Sequence, residues 1–260
     1  MVEQGLWSRV GLTGVRIGAL IIGDELLTGR RQDQHLPALI EILAKRGLEL
    51  AWVRILGDDP ALLTQTLQQT FATDDIVLSF GGIGATPDDR TRQCCAKALA
   101  VPLQRHIDAQ QAMQHHFGDR ADEQRLRMVD FPQGAAMIPN PVNKVAGFSI
   151  KDHHFVPGFP SMAWPMIEWV MDTYYVHIQQ PGHVEQRTMR VIGAREGDLI
   201  PLLERLQGAY PQLRISCLPS ASAQGCGFEV ELGVSGPNPL VAQAFAQLTD
   251  MLAENGYNWE

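Results

Sequence analysis

The sequence predicts an α/β fold in which a doubly wound, mostly parallel sheet is followed by a smaller α+β domain. Apolar strands alternate with helical patterns in the first part of the chain, and a glycine-rich turn follows the third strand. This alternation is typical of parallel sheets with right-handed crossovers. The pattern changes at the polar segment Gln179-Gln180-Pro181-Gly182. We therefore divide the chain into an N-terminal extension (1–14), an α/β domain (15–180) and an α+β domain (181–260).

The composition supports folded domains and excludes several classes of function. Hydrophobic residues make up 45% of the chain, which is enough for a packed core and argues against disorder. The formal net charge of -8 argues against a nucleic-acid partner, because phosphate contacts require clustered lysine and arginine. The sequence shows neither a membrane-length apolar run nor a signal peptide, so it predicts a cytoplasmic protein without a membrane partner. The four cysteines lack metal-ligand or redox spacing, which indicates small apolar side chains.

The first domain is predicted from apolar runs that are nearly continuous, as in a sheet covered on both faces. Gly47 supplies a helix stop, and an Asp-Asp-Pro segment supplies a helix start. The predicted elements are strand 15–22, a helix over 36–46, strand 50–56, a helix opening at 58–60, strand 76–80, a helix from about 89, a polar helical segment at 107–127, short extended pieces over 132–156 and a helix at 162–175.

The second domain is predicted to have the order β-α-β-β-α. Such an order suggests a small sandwich with both helices on one face of the sheet. The predicted elements are strand 188–194, helix 198–209, strands 213–218 and 228–234, and helix 240–255.

Acidic residues follow the first strand at the position where ligands bind in doubly wound sheets. Gly23-Asp24-Glu25 comes directly after the strand, so its carboxylates are expected at the carboxyl end of the sheet. A lone acidic turn is more often a helix cap. Asp33 follows a few residues later, and it could either point into the same cleft or cap a helix.

The glycine-rich turn after the third strand is the most informative segment. Gly81, Gly82 and Gly84 would let main-chain amides approach an anion, and the helix that follows adds further amides. The alternative is a tight turn that merely requires glycine. The neighbouring carboxylates of Asp88 and Asp89 favour a phosphate site, because they could hold a divalent cation that bridges protein and phosphate.

These motifs, in their order along the chain, resemble the molybdopterin-binding, competence/damage-inducible protein A family. The match includes 23–27, 81–91, Asn140-Pro141 and 157–162, and it covers about residues 15–175. The resemblance implies a MogA-like three-layer fold, a homo-oligomer (dimer or trimer) and a small α+β domain. The amidase domain that ends many members is expected to be absent. The functional cleft implied by the resemblance contains Gly23, Asp24, Glu25, Asp33, Gly81, Gly82, Gly84, Thr86, Asp88, Asp89, Thr91 and Gly158.

The resemblance implies two kinds of activity. Related proteins adenylylate or bind molybdopterin, whereas others are associated with metal-dependent hydrolysis of nucleotide diphosphates such as ADP-ribose and FAD. We therefore predict a hydrolase in which Asp33, Asp88 and Asp89 are catalytic, with Asp33 and Asp89 as ligands of Mg, Mn or Co. The glycine loop would hold a phosphate. The alternatives are a molybdopterin or nucleotide carrier without hydrolysis, and a regulatory oligomer with a vestigial cleft.

Two departures and several further residues bear on this cleft. The family usually has Thr-Asn where this chain has Gln34-His35, and proline where it has Ala85. His35 could replace the asparagine as a donor or metal ligand, although a solvated histidine at a helix start is favoured. Lys144 could place a cation near a substrate phosphate or be an ordinary surface lysine. Surface positions are predicted for both histidine doublets, His115-His116 and His153-His154. Phe159 is available to stack on a base or pterin.

Overall fold

The computed structural model describes residues 15–182, 184–221 and 228–260, so the N-terminal extension predicted at 1–14 lies outside the described residues. The chain forms two compact units. The first contains Leu48–Gln179 together with the residues up to Ala44, and the second contains Lys45–Gly47 and Gln180–Glu260. No helix among the described residues is long and apolar enough to cross a membrane.

The first unit is built on a six-stranded, mostly parallel sheet. The eight strands of this unit, six of which form the main sheet, are β1 Ile17–Ile22, β2 Leu50–Leu56, β3 Ile76–Phe80, β4 Leu103–Arg105, β5 Asp130–Pro132, β6 Ala136–Ile138, β7 Gly147–Ile150 and β8 His153–Val156. The main sheet has the order β2-β1-β3-β8-β7-β6, while β4 and β5 form a separate antiparallel pair. β2, β1, β3 and β8 are parallel, and β7 and β6 are antiparallel additions at one side.

Helices cover both faces of this sheet. They are α1 Asp24–Leu27, α2 His35–Ala44, α3 Pro60–Phe71, α4 Thr91–Leu99, α5 Ile107–Phe117, α6 Glu123–Leu126 and α7 Pro160–Tyr174. Alternate residues of β1 enter different cores. Ala19 and Ile21 pack in a cluster with residues of α2 and α7, whereas Leu20 and Ile22 pack in a cluster with residues of α3, α4 and α5. The predicted three-layer α/β architecture is confirmed.

The second unit is an antiparallel sheet with helices on one face. It contains β9 Val184–Ile192, α8 Glu196–Ala209, β10 Arg214–Ala221, β11 Phe228–Pro237, α9 Asn238–Glu254 and β12 Asn258–Trp259, and the sheet order is β10-β11-β9-β12. Buried residues of both helices share a single apolar cluster with buried residues of β9 and β11, so both helices pack on the same face. The predicted β-α-β-β-α order is confirmed, and the two-residue strand β12 is an addition too short to predict.

The histidine doublets have opposite environments. His115 and His116 are exposed, as predicted, but His153 and His154 are each only 2% exposed, so the surface prediction for that doublet is wrong. The physical reason is that β8 is an internal strand between β3 and β7, and helices cover both faces of the sheet: Val156 packs in one apolar cluster and Phe155 in the other.

Both ring nitrogens of His154 have hydrogen-bond partners, whereas only Nε2 of His153 has one among the described residues and its buried Nδ1 has none. His153 Nε2 lies 2.9 Å from Thr70 Oγ1, while His154 is bonded to Ser149 Oγ through Nδ1 and to Tyr175 Oη through Nε2, both at 2.7 Å. The Tyr175 hydroxyl in turn donates to Asp152 Oδ1 at 3.1 Å. These contacts offset part of the cost of burying polar rings.

Two of the four cysteines, Cys94 and Cys95, are buried, as predicted. Cys94 and Cys95 lie in the apolar cluster beneath α4, and Cys217 is partly buried. Burial raises the pKa of the Cys94 and Cys217 thiols. Cys226 lies outside the described residues. The three described thiols are free, in agreement with the interpretation of cysteine as a small apolar residue.

Candidate functional site

The candidate site is formed where four neighbouring parallel strands end. The carboxyl ends of β2, β1, β3 and β8 lie at the same edge of the sheet, because the strands are parallel. Main-chain hydrogen bonds tie the turns together: Gly23 N donates to Leu56 O at 2.9 Å, and Gly81 N donates to Val156 O at 3.0 Å. A Cβ atom on Gly158 would lie 3.4 Å from Gly81 Cα. The structure thus brings the predicted residues Gly23, Gly81 and Gly158 to one edge.

Thr91 holds the first part of the glycine loop against α4. Its Oγ1 donates to Gly81 O at 3.1 Å, and its N–H donates to Gly82 O at 3.0 Å. Gly81 and Gly82 have φ values of 100° and 69°, and a Cβ on Gly82 would lie 2.2 Å from Thr91 Oγ1. Glycine is therefore required here by the backbone conformation and by the close approach of Thr91.

Arg92 holds the second part of the loop, and sequence reasoning missed it. Its Nη1 donates to Ile83 O and its Nη2 donates to Gly84 O, the latter at 2.7 Å. The residue is only 3% exposed, and burial lowers the pKa of its guanidinium. A signal was present, since Arg92 precedes Cys95 by three residues and therefore lies on the buried face of α4.

The main-chain amides of residues 82–85 point away from α4. The four carbonyls of residues 81–84 are turned toward Thr91 and Arg92, and a planar trans peptide directs its N–H opposite to its C=O. Within the described part of the chain, none of these four amides has a hydrogen-bond acceptor. The loop is a tight turn, and it also presents a row of free donors.

Asp24 and Asp58 pair across the ends of β1 and β2. Asp24 N donates to Asp58 Oδ2 at 3.0 Å, and Asp58 N donates to Asp24 Oδ1 at 3.1 Å. Burial, and then the charges of Asp24, Glu25 and Asp88, raise the pKa of the Asp58 carboxyl, against a lowering by the Asp24 amide. Sequence reasoning placed Asp58 only at a helix start, but the N-cap of α3 is Asp59.

Asp33 and His35 fix the start of α2. The two carboxylate oxygens of Asp33 accept from His35 N and Leu36 N, both at 2.9 Å, so Asp33 is a helix-capping residue. His35 Nε2 lies 3.1 Å from Gly158 O, and its ring stacks on Phe80 at 4.6 Å. The predicted solvated position of His35 is wrong, because the β8–α7 turn covers the ring; burial lowers its pKa.

Asp88 and Asp89 occupy the turn between the glycine loop and α4. Asp89 Oδ2 accepts from Thr86 N at 2.9 Å and from Thr86 Oγ1 at 2.5 Å. Asp88 is exposed, and a hydrogen bond from Thr86 lowers its pKa. Both carboxylates are of the oxygen-donor type that Mg²⁺ and Mn²⁺ accept. Among the described residues, however, no three His, Cys, Asp or Glu side chains form a group that could hold a metal ion.

Lys144 lies in a different environment from the glycine loop. It lines a mainly apolar pocket of about 320 Å³ together with Pro165 and Trp169, and its Nζ lies 3.5 Å from Pro141 O. The proposed contact of this lysine with a substrate phosphate stays a prediction. Phe159, next to Gly158, is 59% exposed and thus available for stacking.

Comparisons with known proteins identify the first unit. The family model described as "Probable molybdopterin binding domain" matches residues 18–176. A protein of Pyrobaculum calidifontis is 24% identical over 232 residues, which are 86% of this chain and 88% of the relative. A CinA-like protein of Desulfovibrio desulfuricans is 28% identical over 206 residues, which are 76% of this chain but only 48% of the relative.

A solved structure supports the same fold. The structure of the protein CinA from Thermoplasma acidophilum, described as having unknown function, superposes with a TM-score of 0.56 at 24% identity. The superposition covers 64% of this chain and 99% of that one. The family match extends from β1 through the glycine loop to the end of α7 and spans more than half of the residues. The chain therefore belongs to the molybdopterin-binding domain family.

Proposed function

We propose that the first unit catalyses metal-dependent hydrolysis of a nucleotide diphosphate linkage of the ADP-ribose or FAD type. The observation that supports this most is the row of free amides at residues 82–85, which point away from α4. Successive amides without internal acceptors are suited to hold phosphate oxygens. In this proposal, the loop binds one phosphate of the substrate, and Thr91 and Arg92 keep the amides in place.

The carboxylates around the loop support a divalent ion. The charges of Asp24, Glu25 and Asp88 all raise the pKa of Asp58, so each of them repels the Asp58 carboxylate, and a cation bound nearby would relieve that repulsion. Magnesium commonly uses one or two protein carboxylates and completes its shell with substrate phosphate oxygens and water. A site without a group of three protein ligands is compatible with that mode of binding.

We assign Asp33, Asp88 and Asp89 to the ion and to the water that attacks phosphorus. The hydrogen bonds that Asp33 and Asp89 accept from neighbouring amides fix the orientation of their carboxylates before substrate binds. A divalent ion bound there would supply an activated water and offset charge on the phosphoryl oxygens. Phe159 would stack on the base, since its ring is exposed beside Gly158.

The test is turnover of ADP-ribose and FAD by the purified protein in Mg, Mn or Co. Asp89→Asn keeps an oxygen that can accept from Thr86 but removes the negative charge, so kcat/KM should fall by about 100-fold. Asp74→Asn removes the same charge from an exposed residue outside the site and should leave turnover unchanged. No metal-dependent turnover, or equal loss in the two variants, would contradict the proposal.

A second candidate is a pterin- or nucleotide-binding domain that does not hydrolyse its ligand. The description of the family model favours it, as does the absence of a three-ligand metal group from the described residues. This candidate predicts that molybdopterin or ADP-ribose raises the melting temperature without metal and without product. A regulatory protein with a vestigial cleft would show no stabilisation by either ligand.

The dimer or trimer implied by the family resemblance stays a proposal, which light scattering of the purified protein tests.

A further inference from the structure

A second pocket lies beside the glycine loop, on the side that faces α4. It has a volume of about 600 Å³ and is lined by the turn that follows the loop, by α4, and by residues near α3 and α6. Its apolar surface includes Pro60, Pro87 and Cys94. We call this cavity the arginine pocket, because three arginines and one lysine line it.

The arginine pocket has an excess of positive charge. Its charged lining residues are Arg90, Arg92, Lys97, Arg127 and a single carboxylate, Asp89. In the part of the chain that the structure describes, none of the four cations has a carboxylate oxygen within 4.0 Å. Unpaired cations that surround a concave space attract an anion, and the concavity strengthens their field.

Arg92 distinguishes this pocket from an ordinary basic surface. The residue is only 3% exposed. Its buried Nε has no hydrogen-bond partner among the described atoms. Asp89 and Asp130 are near enough to favour the charged form, but neither forms an ion pair with it. Carbonyl oxygens of Ile83, Gly84 and Met128 accept from its terminal nitrogens, but no carboxylate neutralises its charge, so an anion in the pocket would stabilise it further.

The arginine pocket is also on the opposite side of the loop from the free amides. Arg92 binds the carbonyls of Ile83 and Gly84, whereas the amides of residues 82–85 point away from α4. An anion held by the pocket cations would therefore lie on the carbonyl side of the loop and a phosphate held by the amides on the other side, although Ala85 and Asp89 also line the pocket. The two sites share the loop between them, so occupancy of one would restrain the backbone of the other.

We propose that the arginine pocket binds a second small molecule that carries a phosphate or diphosphate group. Arginine and lysine are the side chains that proteins use most to hold phosphate. The apolar surface formed by Pro60 and Pro87 would contact the non-polar part of such a ligand. This proposal does not depend on hydrolysis. Arg92 and Asp89 also serve the proposed reaction, whereas Arg90, Lys97 and Arg127 line the pocket and have no assigned part in it.

The test is calorimetric titration of the full chain with pyrophosphate at physiological ionic strength. The double variant Lys97→Gln/Arg127→Gln removes two exposed pocket cations, and its affinity should be at least about tenfold weaker than that of the unchanged protein. The control Arg120→Gln/Arg125→Gln removes equal charge from exposed residues that do not line the pocket, and it should bind within about twofold of the unchanged protein.

Two results would overturn the pocket proposal. One is that Lys97→Gln/Arg127→Gln binds pyrophosphate with unchanged affinity, which would place the ligand at the loop amides, or that no protein binds it at all. The other is an equal loss in the control variant, which would indicate diffuse attraction to surface charge. Turnover of ADP-ribose by the same variants distinguishes this proposal from the hydrolase proposal. Lost pyrophosphate affinity with retained turnover supports the pocket. Absent turnover in all proteins bears only on the hydrolase.

Discussion

Asp24 and Asp58 each accept a hydrogen bond from the main-chain amide of the other residue, at 3.0 and 3.1 Å. The pair joins the turn after β1 to the turn after β2. A Cβ on Gly57 would lie 2.4 Å from Asp24 Oδ1, so a larger residue at this position would displace that carboxylate. The hydrogen bonds thus hold two carboxylates close together at the edge where substrate is proposed to bind.

Asp58→Asn should be more stable than the unchanged protein at neutral pH. The pKa of Asp58 is raised above its ordinary value of 3.8, so its stabilising contribution is present below that value and is lost as the pH rises through the folded-state pKa. Asparagine keeps an acceptor for the Asp24 amide and removes the repulsion. Urea unfolding at about pH 4 and about pH 7 should show the advantage only at the higher pH. Asp58→Ala, which lacks the acceptor, should lose about 1 kcal/mol, and equal losses in both variants would contradict this account.

Mild acid should destabilise the first unit through His153 and His154. Burial lowers the pKa of each from 6.5 to about 3, with further lowering of His153 by His154 and Lys151. The unfolded chain therefore binds more protons below pH 6.5, and stability falls from there toward about pH 3. The loss at about pH 5 should reach about 2 kcal/mol per histidine.

Unfolding by urea across this pH range is the measurement. His154→Gln should flatten the acid limb of the stability profile, because the substituted residue does not titrate. His116→Gln, at an exposed position, should leave the limb unchanged. An acid limb of the same slope in both variants would show that other groups cause it.

Gly82→Ala should destabilise the protein more than Gly29→Ala, although both glycines have φ near 69°. Alanine at either position is strained by about 1 kcal/mol in this conformation. Only at Gly82 would the new Cβ meet another residue, since it would lie 2.2 Å from Thr91 Oγ1 while nothing lies within 4 Å at Gly29. We expect an additional loss of about 1–3 kcal/mol at Gly82, measured by chemical denaturation. Similar losses would mean that the loop shifts freely.

His35→Phe should separate the two contacts of this residue. Phenylalanine can keep the stack on Phe80 but leaves Gly158 O without its partner, at a cost of about 1–2 kcal/mol. His35→Ala loses both contacts and should cost about 3 kcal/mol. Hydrogen exchange at residues 157–159 should be faster in both variants, and unchanged exchange would contradict a role for His35 in holding the turn.

The strands and the site edge could be predicted because their signals are local. Ile76–Phe80 and Leu50–Leu56 have the predicted bounds, since turn residues flank each apolar run. The parallel arrangement then places Gly23 and Gly81 at one edge. The environment of β8 was not local: its central position depends on pairing with β3 and β7, so the burial of His153-His154 could not be read from nearby residues.

The missed site residues depended on contacts distant in sequence. Asp58 meets Asp24 across 34 positions, and only the pairing of β1 with β2 brings them together. Arg92 is different, because its spacing to Cys95 already indicated the buried face of α4. Arginine is nevertheless rarely buried without a carboxylate partner, so the residue type alone does not indicate a buried position. The carbonyl groups of Ile83 and Gly84 stabilise this buried cation, and no short sequence motif indicates such contacts.

The hydrogen bonds around His154 determine which atom of each pair is the donor. The Tyr175 hydroxyl donates to the Asp152 carboxylate, which can only accept when ionised, so Tyr175 Oη is left to receive the proton of His154 Nε2. The other ring nitrogen, Nδ1, must then accept from the Ser149 hydroxyl. A single exposed acid thereby selects the tautomer of an imidazole buried in the central sheet, and the order of donors runs one way from β7 to the end of α7.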